Sequence, residues 1–286
     1  MDDMTRQQAI LLYDRFTHEG MERRTFMAEM AKVAGSVAAA EVLIAGIAAS
    51  PAAAAIVPAD DKRLTTRTQD LVGGYKAYVA EPRTRSLKAT VMVVHENRGL
   101  NAHTKDVARR LALANFRGVA VDFLSPVGGT PANEDAARDA IGKLDLGKSV
   151  SDAVAILGEL AKSSRGGKVG AVGFCWGGGF INRLAVAAGD KLDAGVSYYG
   201  PAPDPADAAR VQAPLAIHLA GLDERVNRTG FPWVEALRAN NKTVRFYLYD
   251  GVYHAFNNDT SAERYNKAAA DLAWGRTLAF FRRYLA

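Results

Sequence analysis

Hydrophobic and polar positions alternate with two different periods from about residue 64 to the end of the chain. Residues 74–80 alternate with period two, which predicts an outer strand with one solvated face. Residues 89–94 are continuously apolar, which predicts a strand buried on both faces. Further strands are predicted at 118–123, 168–174, 193–199, 215–219 and 244–249. Helices are predicted at 103–114, in stretches that end near 162, from 177 to about 188, and at roughly 262–284.

This alternation of strands and helices predicts the α/β fold class, with a mainly parallel sheet and helices on both faces. In such a sheet the functional residues lie in loops at the carboxyl ends of the strands. The sequence contains no internal repeat and no interior linker, so we expect one domain over residues 56–286, preceded by a distinct leader over residues 1–55.

The leader has a different pattern from the rest of the chain. Paired arginines, Arg23 and Arg24, precede a moderately apolar stretch at 33–47, and small residues of the A-x-A type end near Ala55. This layout predicts a twin-arginine signal that is cleaved near Ala55 and directs the protein to an extracytoplasmic location. The apolar stretch is too interrupted to predict a stable membrane span.

Two details of the leader oppose this interpretation. Glu41 places a charge inside the apolar stretch, and about twenty residues precede the arginines. A true start at Met21 would remove the second objection. The alternative is an uncleaved, amphipathic helix pair that packs on the domain of a cytoplasmic protein.

Composition excludes several classes of function. A single cysteine excludes an internal disulfide and a cysteine-based zinc cluster. The net charge is +5, but there is no long run of Lys and Arg that would indicate nucleic-acid binding. The leader carries more acidic than basic residues, so the remainder is more basic than the whole chain, which favours anionic substrates. The histidines at 18, 95, 103 and 218 lack the spacing of metal ligands, so we expect neither metal nor cofactor.

The single cysteine, Cys175, lies in the run Gly-Phe-Cys-Trp-Gly at 173–177, between a predicted strand and a glycine-rich helix start. This is the context of a nucleophile elbow, with a thiol in place of the usual serine. Glycines two residues before and after remove side chains that would collide, and the helix N-terminus favours the thiolate. A buried structural cysteine is the alternative.

Two further residues follow later strands of the predicted sheet. Asp223 comes after the strand at 215–219, and His254 comes after the strand at 244–249. The order nucleophile, acid, histidine is that of an α/β-hydrolase triad. We therefore expect His254 to take the proton of Cys175, and Asp223 to orient the imidazole, in hydrolysis of a small-molecule ester or lactone. The backbone N–H groups of Trp176 and Asn97 are the expected oxyanion donors.

The loop after the strand at 89–94 contains a glutamate, Glu96, which joins the three residues of the expected triad in a recognisable combination. Residues 64–286 resemble the dienelactone hydrolase family of α/β-hydrolases. The residues that carry the resemblance are Cys175, Asp223, His254, Glu96 and the run Ser-Tyr-Tyr-Gly at 197–200. The resemblance implies that Glu96 contacts the resting thiol and keeps it neutral until substrate displaces the carboxylate. The alternative for Glu96 is a strand-end acid paired with Arg98.

The chain departs from the family where substrate specificity is concerned. The muconate-cycle members hold a substrate carboxylate with two arginines, and the corresponding places here are 125–127 and 256–259, which contain none. A carboxylate clamp needs a fixed cation, which Asn does not supply. We expect Arg98, Phe123 and Tyr198 to contact substrate. Arg225 and Arg228 are weaker candidates, and exposed loop charges are the favoured interpretation for both.

Three other functions fit parts of the pattern. A broad-specificity carboxylesterase would use the same triad. A redox-reactive thiol protein would need the activated cysteine, but neither Asp223 nor His254, and the chain has no resolving cysteine. A non-catalytic binding module would have no need of the complete triad.

Overall fold

The computed structural model describes residues 2–48, 55–83 and 89–285. Within them, eight strands form one sheet in the order β1-β2-β4-β3-β5-β6-β7-β8. The strands are β1 (Leu64–Leu71), β2 (Tyr75–Pro82), β3 (Thr90–Val94), β4 (Arg117–Asp122), β5 (Val169–Phe174), β6 (Ala194–Tyr198), β7 (Leu215–Ala220) and β8 (Val244–Tyr249). The strands from β3 to β8 run parallel, whereas β1 and β2 are antiparallel to their neighbours.

Helices cover both faces of the sheet. They are α1 (Asp3–His18), α2 (Arg23–Ala34), α3 (Val37–Ile47), α4 (Ala102–Leu113), α5 (Glu134–Gly142), α6 (Leu146–Ser163), α7 (Trp176–Ala187), α8 (Glu224–Ala239) and α9 (Lys267–Leu285). One apolar core joins the sheet to α6, α7 and α8, and includes Leu157, Leu184 and Leu237. The other joins it to α4 and α9, and includes Leu111 and Phe281. The predicted α/β-hydrolase fold, a mainly parallel sheet between two helical layers, is confirmed.

Three elements differ from the sequence-based expectations. Strand β1 was not identified because most of its residues are polar and it pairs on one side only, at the sheet edge. Helix α8 is absent from the helices predicted from the sequence. Asp223 begins it by accepting a hydrogen bond from the Val226 N–H. Helix α9 begins at Lys267 rather than near 262, because the Asn266 side chain accepts from the Ala269 N–H and stops an earlier start.

Helices α1, α2 and α3, residues 3–47, form what we call the N-terminal segment. They pack around their own apolar cluster, in which the rings of Phe16 and Phe26 stack with centroids 4.2 Å apart. No helix in the described ranges is by itself long and apolar enough to span a membrane, but α2 and α3 together meet that test across a 103° bend. The export signal stays a prediction, and residues 49–54, just before the expected cleavage position, lie outside the described residues.

Candidate active site

Cys175 occupies a strained turn between β5 and α7. Its backbone has φ 54° and ψ −114°, a region that residues with a side chain rarely adopt. A Cβ added at Gly173 would lie 2.1 Å from the carbonyl oxygen of Gly177. A Cβ added at Gly177 would lie 2.5 Å from the carbonyl oxygens of Val94 and His95. The turn therefore requires glycine on both sides of the cysteine, as the sequence pattern predicts.

Asp223 and His254 meet Cys175 at the carboxyl ends of the sheet. The Nδ1–H of His254 donates to Asp223 Oδ2 at 2.5 Å, and the other carboxylate oxygen accepts from the Val226 N–H at 3.1 Å. The opposite ring nitrogen of His254, Nε2, is buried and has no hydrogen-bond partner among the described residues. One ring nitrogen of His254 lies within 4.8 Å of the sulfur of Cys175. The structure thus brings the three residues of the expected triad together.

The electrostatics of this group favour a proton on His254. Burial opposes a charge on the imidazole, but the Asp223 carboxylate and the Cys175 sulfur outweigh it and raise the pKa of His254 to about 10. Burial would raise the pKa of Asp223, but the contact with His254 outweighs it and lowers that pKa. The arrangement therefore stabilises an imidazolium between a carboxylate and the sulfur.

Glu96 is buried beside the thiol at the end of β3. Its carboxylate accepts hydrogen bonds from the Asn258 side-chain amide at 3.0 Å and from the Tyr199 hydroxyl at 3.4 Å. Arg98 lies 3.1 Å from Glu134 of α5 instead, so the alternative pairing of Arg98 with Glu96 does not form. The gating role of Glu96 stays a prediction.

His95 holds the loop that carries Glu96 and Asn97. Its Nδ1–H donates to the carbonyl oxygen of Glu96 at 2.7 Å, while Nε2 accepts from the Phe123 N–H at 3.2 Å. Burial lowers the pKa of His95, consistent with the neutral ring that this pattern requires. The ring also stacks on Trp176, the first residue of α7, where backbone N–H groups lack intrahelical acceptors. Sequence analysis gave His95 no role, since a residue at a strand end reveals its partners only in the fold.

Two residues expected to contact substrate lie in the core instead. Phe123 is fully buried and packs against Phe180 with ring centroids 4.6 Å apart. Tyr198 is also fully buried, and its hydroxyl lies 2.6 Å from Thr277 Oγ1. The next residue, Tyr199, contacts the site, with its ring centroid 5.0 Å from that of His254. Tyr199 is the first residue after β6 and has a positive φ of 35°, so the expectation for Tyr198 was displaced by one residue.

The arginines near the site differ in how their charges are balanced. Arg98 lines the cavity at Cys175, and its charge is met by two carboxylates of α5, those of Glu134 and Asp135. Arg225 is half-buried in the first turn of α8, and Arg228 is exposed. A further arginine was missed by sequence analysis, which placed residues 262–266 inside the last helix. Arg264 is buried, lines the same cavity and donates from Nε to Ser261 Oγ at 2.9 Å.

His18, at the end of α1, is the other residue that the sequence did not reveal. Its Nε2 lies 3.9 Å from Cys175 Sγ, and its ring centroid lies 4.9 Å from that of His254. Burial, reinforced by the charge of His254, places the pKa of His18 well below its ordinary value, so the ring is neutral. The cavity left at the cysteine is about 20 Å³.

His18, Cys175 and His254 also offer one potential metal ligand each, all within 4.8 Å of one another. Nitrogen and sulfur ligands suit Zn²⁺. The positive charges of Arg225, Arg264 and Arg98 act on the same cluster, however, and they oppose the binding of a divalent cation.

Comparisons with known proteins identify the family and the fold that this chain shares with them. A family model described as "Dienelactone hydrolase family" matches residues 75–285, after the N-terminal segment. A protein of Escherichia coli named "Putative carboxymethylenebutenolidase" is 30% identical over 257 residues, covering 83% of this chain and 94% of its own. A dienelactone hydrolase-like promiscuous phosphotriesterase from metagenomic libraries has TM-score 0.68 at 23% identity, over 78% of this chain and 100% of its own. A dienelactone hydrolase from Anabaena variabilis has TM-score 0.61 at 19% identity, over 78% of this chain and 100% of its own.

Proposed function

The chain belongs to the dienelactone hydrolase family of hydrolases, and from this premise we propose that it cleaves an ester or lactone bond with a Cys175, His254 and Asp223 triad. The observation that carries the proposal is the contact of Asp223 with His254 at 2.5 Å, beside a cysteine held in a strained turn. Nucleophile, base and orienting acid then come from the ends of three parallel strands, β5, β8 and β7.

In the first half of the reaction, Cys175 Sγ attacks the carbonyl carbon of the substrate as a thiolate, with the thiol proton held on His254. The negative charge that develops on the carbonyl oxygen is met by the backbone N–H groups of Trp176 and Asn97. Collapse of this intermediate breaks the bond to the leaving oxygen. His254 gives its proton to that oxygen, and the acyl group stays on Cys175 as a thioester.

In the second half, His254 takes a proton from a water molecule, whose oxygen attacks the thioester carbonyl. The carbon–sulfur bond breaks, the acid product leaves and the sulfur returns to its starting state. Asp223 stays ionised throughout and stabilises the imidazolium that forms twice in the cycle. Glu96 acts before this cycle, in our proposal, by opposing the thiolate until substrate arrives.

The proposed substrate class is an ester or lactone, with a carboxymethylenebutenolidase-type reaction suggested by the name of the Escherichia coli relative. A broader carboxylesterase activity on the same triad is the second candidate. It is favoured by Asn258, which lies in a stretch where the resemblance implies an arginine and which donates instead to Glu96. Rates on a dienelactone and on p-nitrophenyl acetate separate the two candidates.

The test of the proposed chemistry is a panel of lactones and short-chain esters, run on the natural chain and on Cys175→Ala. We expect hydrolysis of at least one substrate class by the natural chain and its loss in the variant. Hydrolysis that survives the substitution would overturn the triad. Oxidation of the thiol by peroxide, without turnover of any ester, would instead favour the redox-reactive protein.

We also propose that residues 1–55 direct export and are removed near Ala55. The test is cell fractionation with N-terminal sequencing of the accumulated protein, for the natural chain and for a variant with Arg23→Lys and Arg24→Lys. Export should require the arginine pair. Equal distribution of the two proteins would refute the signal.

A further inference from the structure

The end of helix α1 lies where a substrate must bind. His18 Nε2 is 3.9 Å from Cys175 Sγ. The neighbouring carbonyl oxygen, that of Thr17, accepts a hydrogen bond from the Asn97 side-chain amide at 3.4 Å. Asn97 belongs to the loop expected to hold the oxyanion, so the end of α1 contacts this loop as well as the sulfur.

Helix α1 also contacts two arginine side chains of the site. The Asp14 carboxylate is 3.4 Å from the Arg264 guanidinium, and the Tyr13 hydroxyl accepts from Arg98 at 3.0 Å. The Arg264 side chain is only 7% exposed and lies over the Tyr13 ring at 5.2 Å. Among the described residues, the other hydrogen-bond partner of its side chain is the neutral Ser261 hydroxyl. The ion pair that this buried arginine makes within them is therefore with a residue of the N-terminal segment.

The space that remains at the cysteine is too small for an ester. The cavity of about 20 Å³ is lined by α1 through Tyr13, Thr17 and His18, and its other lining residues include Cys175 and His254. A single water molecule needs roughly 10–15 Å³ of such space. Attack on an acyl group therefore requires that α1 first move away from Cys175.

The contacts that hold the N-terminal segment allow it to leave as a unit. Its apolar side chains pack mainly with one another, joined by Tyr253 from the catalytic domain. Polar contacts add to the attachment: the pair of Arg6 with Glu263 at 2.7 Å, the exposed pair of Arg23 with Asp135 and the buried pair of Asp14 with Arg264. The first two are partly exposed and contribute about 1 kcal/mol or less each. Neither core of the sheet need open when the segment departs.

We propose that the N-terminal segment is an intramolecular inhibitor, which occupies the substrate site through α1 and must be displaced or removed before turnover. The inference rests on the proposed function, since inhibition of hydrolysis presupposes that Cys175 is the nucleophile. It also gives the leader a second role: a chain that keeps residues 1–55 hydrolyses its substrate slowly, and cleavage near Ala55 releases the fully active enzyme.

The experiment uses the full chain with a specific protease recognition sequence inserted within residues 49–54. Alkylation of Cys175 by iodoacetamide is followed by mass spectrometry, and p-nitrophenyl acetate hydrolysis is followed in parallel, before and after cutting and removal of the freed fragment. The single cysteine makes the alkylation specific to the site. A segment that is docked in nine of ten molecules gives about a tenfold rise in both rates on removal. Equal rates before and after would overturn the inference.

The two readouts separate this inference from the proposed function. Cutting that accelerates alkylation without producing ester turnover supports the docking of the segment over Cys175 and refutes the proposed hydrolysis at Cys175. Turnover that is equal before and after cutting, and that is lost in Cys175→Ala, supports the chemistry and refutes the inhibitor.

If the freed fragment stays bound after cutting, two variants of the uncut chain test the inference instead. His18→Ala removes the ring beside the sulfur, whereas Gln8→Ala changes an exposed residue of the same helix. We expect His18→Ala to accelerate alkylation of Cys175 by about tenfold, and Gln8→Ala to leave the rate unchanged. The same alkylation rate in both variants and in the natural chain would contradict the inference.

Discussion

His18 Nε2 and Cys175 Sγ are 3.9 Å apart, although 157 positions separate the two residues in the chain. The match to the family model begins at residue 75, so one of the closest neighbours of the candidate nucleophile lies outside the residues that this model matches. In our two proposals, the chemistry belongs to the sheet, and its control belongs to the helices that precede the sheet.

Asp223 orients His254, so Asp223→Asn should remove most of the activity without unfolding the protein. An amide in this place favours the wrong imidazole tautomer, and the comparable change in a serine triad costs about 10⁴-fold in kcat. The matched control is Asp250→Asn, since Asp250 is exposed at the end of β8. The kcat of both variants is measured by steady-state kinetics on the chain from which the N-terminal segment has been cut and removed. Similar kcat values for the two variants would contradict the assigned role of Asp223.

The raised pKa of His254 makes stability depend on pH. The folded value of about 10 lies above the ordinary value of 6.5. The stabilisation is therefore complete below about pH 6.5 and is lost as pH rises through 10, at about 1.4 kcal/mol for each pH unit between the two values. Urea unfolding across this range should show a larger loss for the natural chain than for Asp223→Asn. An equal loss in both would show that the pair does not set this pKa.

The glycines of the elbow should not tolerate a methyl group. Gly177→Ala places a Cβ 2.5 Å from two backbone carbonyl oxygens, which cannot move without displacing β3. We expect a loss of about 1–3 kcal/mol or more in the free energy of unfolding. Gly158→Ala in α6 meets nothing within 4 Å and should stabilise the chain by up to about 1 kcal/mol. Thermal unfolding of the two variants checks this, and a neutral Gly177→Ala would contradict the geometry.

Glu96 is expected to oppose the thiolate of Cys175 by the repulsion of like charges. Glu96→Gln keeps the shape and removes the charge, so Cys175 of the protease-cut chain should be alkylated faster by iodoacetamide. Alkylation is followed by mass spectrometry, with Cys175→Ala as the blank. Glu235→Gln, on the exposed side of α8, is the control. Equal alkylation rates for the two glutamine variants would refute the gating role.

The sequence predicted the parts of the site that depend on strand ends. Cys175, Asp223 and His254 each follow an apolar run, and parallel strands bring their carboxyl ends to one edge. The elbow glycines were predicted for the same reason, because the need for a missing Cβ is local. These inferences require only hydrophobic periodicity and the order of residues along the chain.

Other parts of the site depend on the packing of distant segments. His18 and Arg264 lie in regions interpreted as a leader and as part of a helix, and no periodic pattern brings either to Cys175. The sequence favoured Tyr198 over Tyr199, because Tyr199 follows the end of β6 with a positive φ of 35°, which hydrophobic periodicity does not indicate. Tertiary contacts of this kind can be identified only once the fold is known.

The most direct measurement of the central claim is to trap the acyl-enzyme. The cut chain is mixed with p-nitrophenyl acetate, quenched in acid during turnover and digested, and the peptides are analysed by mass spectrometry. We expect one acetyl group on the peptide that contains Cys175, and its absence from the same peptide of Cys175→Ala. Turnover with no acetyl group on Cys175 would contradict the assignment of Cys175 as the nucleophile. An acetyl group on another side chain, formed and hydrolysed as fast as the substrate is turned over, would contradict it as well.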